Sequence, residues 1–192
     1  MPSNIIRPVA ASSSTGWQTS GNVIANSFDA DNATYAQQSN VTCNATYTFG
    51  PQEAGIEEAA REGTLSVTIS AHAKGGRVAT TSAALKLIDS TGSDVAAAET
   101  ESWGTTLSTQ TTTAITTQAG GSAPLTLGYI HNCTLNIVPD GNGIFLHEIF
   151  ITISYDLKYM AKVNSVTDGD ISKVSGTTNA NMAEINGLLD TD

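Results

Sequence analysis

A chain of 192 residues is long enough for one domain with a real core and an appendage. Charged residues make up 14%, against roughly 25% in an average soluble protein, and Ser, Thr, Asn, Ala and Gly take their place, which suits a turn-rich β-protein better than a solitary enzyme. The net charge of −10, with only eight dispersed Lys and Arg, argues against nucleic acid and against an anionic membrane surface. No apolar run approaches the roughly 18 to 20 residues of a membrane span.

The opening, MPSNIIRPVAASSS, has one basic residue and no apolar run of signal length, so the reading is a protein made and used without Sec export. Residues 1–16 read as an N-terminal arm, with Ile5 and Ile6 its one apolar run. In FDADNATYA, Asp29, Asp31 and Asn32 offer oxygens as part of a Ca²⁺ loop would. The glycine and closing glutamate of an EF-hand are missing, and the competing reading is an Asx turn before a strand at Thr34–Tyr35.

NVTCNATYTFG then alternates Val41, Cys43, Ala45, Tyr47 and Phe49, the period of a half-buried strand. GPQEAGIEEAAREG breaks it, with one or two helical turns over 56–62, and the clustered glutamates Glu53, Glu57, Glu58 and Glu62 read as a solvated helix face. TLSVTISAHAKG puts Leu65, Val67, Ile69 and Ala71 on one face, and Lys74–Arg77 reads as a hairpin turn. AALKLIDSTGSDVAAA predicts a strand, a turn at Ser90–Ser93 and a return strand. GTTLSTQTTTAITTQ suits a strand with a polar threonine face. LTLGYIHNCTLNIVP and GIFLHEIFITISYDLKYM are the strongest strand predictions, joined by the hairpin chemistry of Asp140–Gly143. No helix is long enough for a crossover, which disfavours a parallel sheet. The expected fold is all-β: an antiparallel β-sandwich, jelly-roll-like in pattern, over residues 17–160, with a β-barrel as the alternative.

Residues 161–192 differ in kind. Val163-Asn164-Ser165, Val174-Ser175-Gly176 and Ile185-Asn186-Gly187 recur every eleven residues. Each unit offers an N-cap, a short run and a terminating glycine, which predicts two short helical segments. Helices that short do not stand alone in water, so Val163, Val166, Ile171, Val174, Met182, Ile185, Leu188 and Leu189 are expected to bury against a partner surface.

Chemistry-bearing constellations are sparse. His72, His131 and His147 each fall in a predicted strand without a metal-spaced neighbour, and no P-loop, G-x-S-x-G or HExxH occurs. A glycosidase pair assembled from distant carboxylates stays open at the level of sequence. Cys43 and Cys133 read as buried thiols, with a disulfide as the alternative, and fit no zinc spacing. Trp17 and Trp103, with Asp29, Asp31 and Tyr35, are candidate sugar contacts, though isolated tryptophans in a sandwich also serve as core anchors. No cofactor and no metal is expected.

The FDADNATYA phrase ahead of sandwich strands, and the KVNSVTDGDISKVSGTTNANMAEINGL repeat, resemble segments of tailed-bacteriophage virion structural proteins, although Ser165 and Thr177 depart from the strict repeat. The resemblance implies a non-enzymatic building block: a capsid decoration or cement protein, or a neck, tail or fibre-attachment component. It implies a homotrimer or ring, other virion proteins (major capsid, portal, neck or tail) as partners, and assembly in the host bacterial cytoplasm. Docking would use Ile5, Ile6 and the C-terminal apolar positions. The alternative is a carbohydrate-binding, receptor-recognising β-sandwich module.

Overall fold

The computed structural model describes residues 3–38, 43–50, 65–76, 80–121, 123–140 and 143–155, with the backbone of 173–174 and 177–178. Two compact units divide it, Met1–Leu157 and Lys158–Asp192. The first is an antiparallel β-sandwich, as expected. Its strands are β1 (Ser3–Ile6), β2 (Pro8–Ser13), β3 (Ala36–Gln37), β4 (Ala45–Phe49), β5 (Leu65–Gly75), β6 (Thr81–Ile88), β7 (Glu99–Trp103), β8 (Ser108–Thr111), β9 (Thr134–Pro139) and β10 (Ile144–Tyr155). One sheet runs β1-β10-β5-β8, with β3 also paired to β10; the other runs β2-β4-β9-β6-β7.

The sequence alternates as the sheets require. Leu65, Val67, Ile69, Ala71 and Ala73 of β5, and Ile149, Ile151 and Ile153 of β10, turn inward and are buried. Ala45, Tyr47 and Phe49 of β4, with Leu85, Leu87, Leu135 and Ile137, face them from the other sheet. β5 and β10 pair over almost their whole length, from Ile144↔Gly75 to Tyr155↔Leu65, and form the spine of their sheet. Truncating a spine residue such as Ile151 to Ala costs roughly 2–5 kcal/mol, because a rigid core does not close over the lost atoms.

Among β1 to β10, every connection except β6–β7 passes from one sheet to the other. Two hairpin expectations fail for this reason. Lys74–Arg77 does not pair β5 with β6, since β5 lies with β10 and β8 while β6 lies with β9 and β7. Asp140–Gly143 likewise separates strands of different sheets. Asp140 holds the end of β9 to the start of β6, accepting from the Ser82 amide at 3.0 Å and the Ser82 hydroxyl at 2.9 Å. The β6–β7 pair is the true hairpin, and its loop begins where expected. Asp89 Oδ1 accepts from the amides of Thr91 (2.8 Å) and Ser93 (2.9 Å), and Gly92 sits at φ +87°, a conformation costly for a side chain.

Three further expectations change. Residues 3–13, read as part of an arm, are two edge strands: β1 pairs with β10 and β2 with β4. Leu127–His131, read as strand, is a short helix, α1. Thr126 caps it by accepting from the Tyr129 amide at 3.1 Å, and Leu127 and Ile130, three apart, are buried. His131 therefore lies on a helix. In the second unit, Lys173–Val174 pairs antiparallel with Thr177–Thr178, where the end of a helix was expected. The β-branched Val and Thr flank a Ser-Gly dipeptide, which favours reversal over helix. Val163, Val166, Ile171, Met182, Ile185, Leu188, Leu189, the side chain of Val174, Val41 and the 53–62 segment lie outside the described residues.

Candidate functional site

The site grows from a break in strand parity. Leu146 and Ile149 both face the core, although three positions separate them. The pairing absorbs the extra residue as a bulge: Leu146 opposes Ala73 and Glu148 opposes His72, leaving His147 unpaired between them. On the outer face of the sheet, half-buried Phe145 opposes half-buried Lys74. β3 lies on the other side of Phe145, which opposes Gln37, and so brings Tyr35 alongside.

The result is an aromatic and basic patch. Tyr35 stacks on Phe145, centroids 4.9 Å apart and planes inclined by 29°. His147 meets Tyr35 at 5.3 Å and His72 edge-on at 6.2 Å. Lys74 Nζ lies 5.7 Å from the Phe145 centroid, within cation–π range. His147 Nδ1 donates to the Asn32 carbonyl at 2.8 Å, which fixes the tautomer and leaves Nε2 as an acceptor; Nε2 is buried without a partner among the described residues. Burial, more than the nearby Lys74 and His72, pushes the His147 imidazole below its ordinary range, so it is neutral at pH 7. Glu148 accepts from Arg7 Nε at 2.6 Å, which pins the β1–β2 crossing to the bulge. His72 Nδ1 lies 2.8 Å from Thr109 Oγ1.

The loop before Tyr35 explains the acidic phrase. Asp29 Oδ1 accepts from the Asp31 amide (2.9 Å), Asp29 Oδ2 from the Thr34 hydroxyl (2.7 Å), and Asp31 Oδ1 from the Ala33 amide (2.9 Å). These are Asx turns; the carboxylates serve the loop's own donors. Among the described residues no three His, Cys, Asp or Glu side chains gather at metal-binding range.

Of the predicted sugar contacts, Tyr35 reaches the patch and Asp29 and Asp31 shape the loop beside it. Trp17 and Trp103 do not reach it. They are 5% and 1% exposed, packed into the core, and Trp17 Nε1 donates to the Asn44 carbonyl at 3.2 Å. Burying the largest apolar side chains gains more than exposing them. Phe145, His147, His72 and Lys74 were not singled out as a site, yet the parity break in Phe145-Leu146-His147-Glu148-Ile149 was legible. Cys43 and Cys133 are buried free thiols rather than a disulfide; burial pushes Cys133 up to about 11 and raises Cys43. Ile6 packs on the core, whereas Ile5 is 52% exposed.

No protein-family model and no curated protein matches the sequence. Among solved structures, the chain is similar to the family 32 CBM from C. perfringens NanJ in complex with galactose, at 12% identity and TM-score 0.49, covering 79% of this chain and 99% of that one. It is similar to a truncated AlyQ with CBM32 and alginate lyase domains, at 14% identity and TM-score 0.48, covering 84% of this chain and 35% of that one. A third is the enzymatically active domain of bacteriophage CBA120 tailspike protein 4, at 17% identity and TM-score 0.40, covering 78% of this chain and 18% of that one. Likenesses this distant carry nothing about ligand or chemistry, and the sandwich assignment rests on the sheets themselves.

Proposed function

We propose that the chain is a non-enzymatic recognition module that binds a glycan on the face built by Tyr35 and Phe145. One observation carries this reading: a stacked aromatic pair, half-buried on the outside of a sheet, with Lys74 over Phe145 and His147 against Tyr35. A pyranose has an apolar C–H face and a rim of hydroxyls, so it packs flat on an aromatic ring while donors and acceptors at the edge fix its orientation. The strand spine beneath the pair holds it rigid, which spares the ordering cost of binding. The test is a glycan array with the full chain, repeated with Tyr35→Ala and Phe145→Ala. Binding that both variants weaken supports the reading; a blank array, or binding indifferent to both, sinks it.

A second reading has its own observation. The large hydrophobics exposed among the described residues, Ile5 (52%) and Val9 (64%), lie on edge strands β1 and β2. Apolar side chains on unpaired edges invite a neighbouring chain. That suits a virion building block, assembled in a bacterial cytoplasm into a trimer or ring with other virion proteins, and is compatible with glycan recognition on the same particle. Light scattering decides it: an oligomer that the Ile5→Lys, Val9→Lys variant dissociates supports assembly through these strands, and a monomeric parent chain removes self-assembly.

A further inference from the structure

We infer that the glycan taken by this face is acidic, and that Lys74 pairs with its sugar carboxylate. This rests on the glycan reading above and specifies its ligand class. Among the described residues the cationic side chains differ sharply in their partners. Arg7 is held by Glu148 at 2.6 Å and Lys86 by Asp94 at 2.8 Å. Lys74 instead stands over Phe145, 5.7 Å from the ring centroid, with no ion pair to a described carboxylate. Glu148 is engaged by Arg7, and Asp29 and Asp31 accept from the donors of their own loop.

The geometry sets what Lys74 can do. Lys74 Nζ stands over the Phe145 ring, at the border of the Tyr35–Phe145 pair, so a carboxylate on a sugar that packs against this pair comes within reach of Nζ. A charge-assisted hydrogen bond there is stronger than one between Nζ and a neutral hydroxyl. The chain as a whole repels anions at −10, but charges beyond the roughly 8 Å Debye length at physiological salt are largely screened, so the local cation governs. The neutral His147 adds no competing charge.

The full chain is titrated calorimetrically with trigalacturonate and with a neutral galactose trisaccharide, alongside Lys74→Gln and Lys74→Arg. The parent chain is expected to favour the acidic sugar. Lys74→Gln is expected to weaken that binding roughly tenfold and to weaken neutral binding far less, with Lys74→Arg restoring most of the acidic preference. Circular dichroism confirms that each variant is folded. Neutral sugar bound as tightly as acidic, or Lys74→Gln without selective effect, overturns the acidic assignment and leaves the glycan face standing. Binding of neither trisaccharide overturns the assignment, and a blank array then removes the glycan reading too.

Discussion

Glu148 of β10 and Arg7, between β1 and β2, form an ion pair at 2.6 Å, with the Glu148 side chain 11% exposed and the Arg7 side chain 41%. The contact ties the point where the N-terminal segment changes sheets to the bulge that shapes the aromatic patch. Removing Arg7 leaves a largely buried carboxylate without its partner, a costly state, whereas the exposure of Arg7 limits what the pair itself contributes. Arg7→Ala is expected to lower stability by about 1–2 kcal/mol in urea unfolding, and Arg7→Ala with Glu148→Gln to recover part of that loss. Costs of Arg7→Ala and Glu148→Gln that simply add in the double variant would mean the pair is not coupled.

The Tyr35–Phe145 stack should matter twice. Tyr35→Ala forfeits an aromatic pair worth about 0.5–1.5 kcal/mol beyond its buried area, visible as a small drop in the unfolding midpoint. It also removes half the sugar platform, so affinity for the array's best glycan should fall roughly tenfold, near 1.4 kcal/mol. Tyr35→Phe, which keeps the ring, should preserve most of both.

His147 predicts a mild acid sensitivity. Its folded-state pKa lies below the ordinary 6.5 because burial disfavours the cation. Above 6.5 the imidazole is neutral in both states, and its contribution to stability is fully present. As pH falls from there, the unfolded chain takes up a proton that the folded chain resists, so stability is lost down through the folded pKa. Unfolding midpoints of the parent chain and His147→Gln, measured from pH 8 to pH 5, should converge as the pH falls. Parallel curves would place the acid sensitivity elsewhere.

Tyr47 carries a buried hydroxyl whose role is fixed by its neighbour. Ser27 donates to the Ile24 carbonyl at 2.6 Å, so the Tyr47 hydroxyl donates to Ser27 Oγ at 2.8 Å. Tyr47→Phe should cost about 1 kcal/mol in denaturant titration, the usual net worth of such a bond. A neutral outcome would show that Ser27 finds another donor.

The thiols give a chemical check on the core. Cys133, pushed up to about 11, and buried Cys43 are both protonated at pH 8 and shielded. Ellman's reagent should modify neither in the folded chain and both in urea. Prompt modification of either in native buffer would contradict the burial.

Composition and period-2 alternation determined the fold class and most core residues. Leu65, Val67, Ile69, Tyr47, Ile149 and Ile151 could be assigned inward because burial alternates along a strand and is written locally. Turn residues at 74–77 and 140–143 likewise marked where a strand ends. What they do not encode is the partner of the next strand: a glycine turn permits reversal equally into the same sheet or across to the facing one. Only the packing of two sheets decided that nearly every connection crosses, and so that β3 and β5 flank β10. That arrangement, with the bulge at His147, assembled Tyr35, Phe145, Lys74 and His72 from distant segments. It also drew Trp17 and Trp103 inward, since the core gains most from its largest apolar side chains, and left recognition to the smaller rings outside.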